Sequence, residues 1–67
     1  MNALTPKNTV YPIEPVMHAG KVYVPGDSMD CDPDDTAAIL TSGRGTLDID
    51  VARQAAKLYA AQQMGAV

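Results

Sequence analysis

Ser28, His18, Cys31 and a run of aspartates are the residues of this chain with the most chemical capacity. Ser28 stands in Val24-Pro25-Gly26-Asp27-Ser28-Met29-Asp30. A serine becomes a nucleophile only when a neighbouring base takes its proton. In a Ser/Lys dyad that base is a lysine deprotonated by burial beside the hydroxyl. The lysines are Lys7, Lys21 and Lys57. Lys21 is expected across a hairpin in a small exposed sheet, and Lys57 on the wet face of an Ala-rich helix. Neither place desolvates an ammonium. A Ser/His/Asp hydrolase needs a helix straight after the serine and its Asp and His further on. Pro33 delays the helix, and the single histidine, His18, comes earlier. The residues therefore assign Ser28 the role of a hydroxyl after a turn, bonding local backbone. No catalytic residue is assigned, and the chain is expected not to be an enzyme.

The carboxylates and the soft ligands give the same answer. Asp30-x-Asp32-x-Asp34 begins like a calcium loop. Asp35 then stands where the loop requires glycine, and Thr41 where it closes with a bidentate glutamate. An Asp-rich helix N-terminus accounts for the run. His18 and Cys31 make two candidate metal ligands against the four of a structural site. His18 is expected on a hairpin surface and Cys31 as a small buried hydrophobe. Ser42-Gly43-Arg44-Gly45 lacks the Gly-Lys-Ser/Thr ending of a phosphate loop and reads as a helix stop plus turn. No metal and no cofactor is expected.

The elements that must hold these residues can be read in order. Residues 1–9 are polar and contain Pro6, which suggests an extended N-terminal arm. Residues 10–67 are expected to form one small domain. Val10 to His18 alternates loosely, and Pro12 and Pro15 cannot donate to a ladder, so an edge strand, or an arm lying on another element, is expected. Ala19-Gly20 suits a tight hairpin turn into Lys21-Val22-Tyr23-Val24. Pro25-Gly26 is a type II turn recipe, and Asp27 is placed to tie its backbone. Ser28 to Cys31 runs extended. Asp32 is a helix N-cap, Pro33 fits the first helical position, and Asp34 and Asp35 complement the dipole. Gly43 stops that helix, whose packing residues are expected to be Ala37, Ile39 and Leu40. A short extended piece is possible at Thr46-Leu47-Asp48. Asp48 or Asp50 then caps a second helix through Met64 with strong helix propensity. Its apolar surface is wide. Val51, Ala55, Leu58 and Gln62 form one stripe; Ala52, Ala56, Tyr59 and Gln63 form the next. The fold class is α+β: a two- or three-stranded antiparallel meander, a short helix and a longer C-terminal helix.

Composition limits the partners. Sixty-seven residues without Trp or Phe bury a modest core, so stability is expected to draw on neighbours. Net charge is −3, and five of the eight acidic residues fall between Asp27 and Asp35. Nucleic-acid binders need a basic footprint, so nucleic acid is not an expected partner. One cysteine makes no internal disulfide. The first residues do not read as a signal peptide, and no apolar run is long enough to span a bilayer. The expected setting is a reducing cytoplasm, with no membrane partner.

Gly20, Lys21, Tyr23, Gly26 and Asp27, followed by Ala37, Leu40 and Gly43, form a G-K-x-Y-x-x-G-D segment and a short acidic-capped helix. This pattern, from Val16 to about Gly45, resembles small tailed-bacteriophage proteins of Mu-like head and tail morphogenesis. The resemblance implies a virion structural protein: a minor capsid or decoration protein, or else a head–tail or tail component. The implied partners are the major capsid protein and copies of the chain itself, in a virion assembled in the bacterial cytoplasm. The helix from Asp50 onward goes beyond the shared module. The alternative of another class is a small acidic inhibitor of a host protein, contacting it through Asp27, Asp30, Asp32, Asp34 and Asp35. The letters G-D-S-M are also similar to the serine motif of the repressor-cleavage and signal-peptidase group. That group has a larger β-rich catalytic fold, which a chain of this length does not build.

Overall fold

The computed structural model describes residues 6–65. The fold is α+β, with five short strands and two helices. Strand β1 (Asn8–Pro12) is the organising element. Its first half pairs antiparallel with β4 (Met29–Cys31), with Val10 opposite Met29. Its second half pairs antiparallel with β5 (Gly45–Thr46), with Pro12 opposite Gly45. The resulting order is β4-β1-β5. Strands β2 (Val16–His18) and β3 (Lys21–Tyr23) form a separate hairpin. The strands thus divide between two sheets instead of running as one meander.

Two differences from the sequence reading concern β1. Residues 1–5 of the expected arm lie outside the described residues, but Asn8 and Thr9 already belong to the strand. Pro12 sits in the middle strand, not on an edge. It is tolerated because pairing with β4 ends at Val10, so the missing N–H interrupts no bond on that side. Beyond it, the Ile13 N–H donates to the Arg44 carbonyl at 2.9 Å, which prolongs the link toward the β5 side.

The hairpin turn places Ala19 at φ 52° and Gly20 at φ 77°. Two positive φ values in succession are the type I′ arrangement, whose twist matches that of the strands. Helix α1 (Pro33–Ser42) begins where its chemistry says it should. The Asp32 carboxylate accepts the Asp35 N–H at 2.8 Å, which stabilises by roughly 0.5–2 kcal/mol. Gly43, at φ 77°, closes the helix, with its N–H directed at the Ile39 and Leu40 carbonyls. The residue α1 buries most completely is Thr36, not Ala37, which is exposed. Its hydroxyl donates to the Cys31 carbonyl at 3.4 Å, and this bond makes a fully buried hydroxyl acceptable. Ile39 and Leu40 are half-buried.

Helix α2 (Ile49–Gly65) is capped by Asp48, whose Oδ1 accepts the N–H groups of Asp50 at 2.9 Å and Val51 at 3.4 Å. Of the two stripes, the one carrying Ala52, Ala56 and Tyr59 faces the body: Ala52 is buried and the other two are half-buried. Val51 and Leu58 stay exposed. From Ala60 to Met64 every residue is exposed, so the second half of α2 runs free of the body.

The core is correspondingly small. Val10, Val16, Met29 and Cys31 form one cluster, with Tyr23 and Ile39 packed against it. Full burial of each large aliphatic side chain stabilises by roughly 1.5–3 kcal/mol.

Candidate functional site

The Pro25-Gly26 turn is held from both sides. The Asp27 N–H donates to the Val24 carbonyl at 2.9 Å. The Asp27 carboxylate in turn accepts the Val24 N–H at 2.9 Å, as expected from the sequence. Gly26 has φ 108°, and a Cβ placed there would lie 3.8 Å from the Ala56 Cβ of α2. The turn is thus seated directly under the second helix. Ser28 is exposed and takes no part in these bonds. It shares a shallow hollow of about 250 Å³ with Lys21, Tyr23 and Asp27. The Lys21 Nζ lies 5.3 Å from the Tyr23 ring centroid, a cation–π contact. Lys21 is itself exposed, so the burial that a Ser/Lys dyad requires is missing around it. Lys57 is exposed on α2.

These positions fix an expected ranking. Gly26→Val forces a β-branched residue into positive φ and is expected to cost at least ~1–2 kcal/mol. Ser28→Ala is expected to change stability by less than about 0.5 kcal/mol. Urea unfolding of the two variants checks this; a larger loss for Ser28→Ala would reverse the assignment of the turn.

A second cluster brings together His18 and Cys31, which the sequence offered only as a pair of metal ligands, and adds Asp35 and Tyr23 to them. The Cys31 Sγ lies 3.8 Å from the His18 Nε2, and the His18 Nδ1 lies 3.9 Å from an Asp35 carboxylate oxygen. The Tyr23 ring meets His18 edge-on, with centroids 6.2 Å apart. His18 is therefore a half-buried joint between the hairpin, β4 and α1, and not a hairpin-surface residue. The order thiol, imidazole, carboxylate is that of an activated cysteine. The environment works against activation. Burial pushes the Cys31 thiol above its usual range, and the carboxylates of Asp35, Asp32 and Asp30 add to the effect, with Lys7 opposing it. A buried thiol held in its neutral form is a poor nucleophile. Among the described residues, no group of three or more His, Cys, Asp or Glu side chains is arranged to hold a metal ion.

The raised thiol predicts a pH dependence. Below the ordinary thiol range, near pH 8.5, native and unfolded chains both hold the proton and this group contributes no slope. Above it the unfolded chain releases the proton first, so stability falls as pH rises toward the native value. Urea unfolding between neutral and mildly alkaline pH should show this fall in the wild type and not in Cys31→Val. An equal fall in both would remove Cys31 as the cause.

The acidic run is partly committed to structure. Asp27 ties the turn, Asp32 caps α1, and Asp35 lies beside His18. Asp30 and Asp34 are exposed.

The larger open features are apolar. The Met17 and Val22 side chains are 72% and 54% exposed and are directly paired across the hairpin. On the other side, Ile13, Pro15 and Pro25 face Val51, Leu58 and Tyr59 of α2 across a groove of about 520 Å³. Sequence reasoning identified the wide α2 surface but not its opposing wall. That wall is assembled from two connections, the one between β1 and β2 that carries Ile13 and Pro15 and the turn after β3 that carries Pro25. Among the described residues, no helix is long and apolar enough to cross a membrane.

Compared with family models, with curated proteins and with solved structures, the chain matches none.

Proposed function

We propose that this chain is a non-enzymatic structural protein of a tailed-bacteriophage virion, a minor capsid or decoration protein that stabilises the head through contacts with neighbouring subunits. The observation that carries the reading is the pairing of a very small core with two separate uncovered apolar surfaces. One is the Met17/Val22 face of the hairpin; the other is the groove beside α2. A protein completed by neighbours on two sides suits a lattice component better than a freely diffusing enzyme. The buried, proton-holding Cys31 and the exposed Lys21 beside Ser28 support the non-enzymatic part. The G-K-x-Y-x-x-G-D resemblance supplies the phage setting, and a head–tail or tail position is the alternative within it.

Quantitative mass spectrometry of purified particles, scaled to the major capsid protein, tests the reading. The expected result is many copies per particle. The Met17→Asp/Val22→Asp variant should fold, because both side chains are exposed, and should be lost from particles. Absence of the wild-type chain from particles would overturn the proposal.

A further inference from the structure

His18 and Cys31 are 13 residues apart in the chain, and the fold brings the Nε2 of one to 3.8 Å from the Sγ of the other. Both atoms are donors that soft metal ions favour. With bonds of about 2.3 Å to sulfur and about 2.0 Å to nitrogen, that separation corresponds to a sulfur–metal–nitrogen angle of about 125°. The angle lies between the tetrahedral and the linear values, so one ion fits between the two atoms with little movement of either. The other ring nitrogen, Nδ1, lies 3.9 Å from an Asp35 carboxylate oxygen. A carboxylate behind the far nitrogen is the arrangement that keeps the proton of a metal-bound imidazole on Nδ1 and its lone pair on Nε2. The Tyr23 ring packs edge-on against the imidazole.

We propose that Cys31 and His18 form a two-ligand site for a soft monovalent cation of the copper(I) class, with Asp35 orienting the imidazole. Charge selects this class. Cys31 is buried, and an ion bound there displaces the thiol proton to solvent. The sulfur then carries one negative charge, which a monovalent ion cancels, so the two donors and the ion bury no net charge. The imidazole stays neutral and gives its Nε2 lone pair to the second bond. No oxidation state changes. A divalent ion such as zinc would leave a surplus positive charge and call for further ligands. Among the described residues, no third His, Cys, Asp or Glu joins the pair in a metal-holding group.

The surrounding field favours the ion. Burial and the carboxylates of Asp35, Asp32 and Asp30 hold the thiol in its protonated form, with Lys7 opposing them. The carboxylates that disfavour a bare thiolate attract a cation at the same sulfur. Entry needs movement on one side only. Strand β2 belongs to a different sheet from β4, so His18 can swing out with its hairpin while β4 stays paired with β1. The inference stands apart from the virion reading, because ion binding is measured on the purified chain and virion membership in particles.

The test uses the purified full-length chain. Silver(I), added as the nitrate in chloride-free buffer, is an air-stable probe of the class; copper(I) is added under ascorbate without oxygen. Native mass spectrometry should show one ion per chain with each metal. Nitrogen NMR should show the His18 Nε2 resonance displaced at one equivalent of silver(I). His18→Gln keeps the thiol and is expected to weaken binding at least ~10-fold, with circular dichroism checking its fold. Equal affinity in the wild type and a folded His18→Gln would reduce the site to a bare thiol and overturn the inference. An unmoved Nε2 resonance in the wild type would overturn it without recourse to any variant. Zinc(II) bound as tightly as copper(I) would overturn the choice of ion.

Discussion

Replacing Gly45 with alanine is expected to destabilise the fold by on the order of 1–3 kcal/mol, the usual range for overpacking a filled site. Gly45 is buried in β5, opposite Pro12. A Cβ there would lie 2.6 Å from the Ile39 Cγ2, 3.0 Å from the Val10 Cγ1 and 3.2 Å from the Tyr11 carbonyl oxygen. Ile39 is half-buried and can turn away at some loss of packing. Val10 is wholly buried, and the Tyr11 carbonyl belongs to the strand that β5 pairs with. The strand must therefore shift. Since β1 is held by β4 on one side and β5 on the other, the shift loosens the whole sheet. A chain of this size has a total stability on the order of 3–10 kcal/mol, so the loss is a large fraction of it. Urea unfolding measures the change, and a loss below about 0.5 kcal/mol would show that β5 does not pack this tightly.

The second large effect is expected at Met29. Its side chain is 1% exposed, in the cluster with Val10, Val16 and Cys31. Met29→Ala removes transfer free energy and leaves a cavity, together ~2–5 kcal/mol. In a core of so few residues no neighbouring cluster takes up the slack. The variant should be substantially unfolded, as seen by loss of helical circular dichroism and a broadened thermal transition. Met29→Leu, nearly volume-conserving, should lose less than ~1.5 kcal/mol. If Met29→Ala melted like the wild type, the cluster could not be the core.

These two positions mark where sequence reading succeeds and where it stops. Asp32, Pro33 and Gly43 were legible because helix ends are set by local backbone chemistry that each residue type serves alone. The Pro25-Gly26 turn and the Ala19-Gly20 hairpin were legible for the same reason. Gly45 read as loop because what makes it essential is the approach of Val10 and Ile39, which no local pattern encodes. Thr36 was passed over in favour of Ala37 because a hydroxyl looks like a surface residue until its acceptor, the Cys31 carbonyl, is known. His18, Cys31 and Asp35 come from three elements, and only the hairpin's placement against β4 and α1 brings them together. The groove follows the same rule. The exposed stripe of α2 could be read from helical periodicity, while its Ile13, Pro15 and Pro25 wall depends on tertiary packing.

The split pairing of β1 also dictates an order of events during synthesis. Asn8 pairs with Cys31 and Pro12 with Gly45, so the strand made first acquires its partners last. The β2–β3 hairpin lies within the segment that separates β1 from β4 and needs only its own turn, so it can close early. Closing the larger loops costs chain entropy before any core contact repays it. Until Gly45 and Thr46 have left the ribosome, Tyr11 and Pro12 remain without their strand partners. The nascent chain thus carries an unsatisfied strand until β5 emerges, and a stop before Gly45 would release a product unable to complete the sheet.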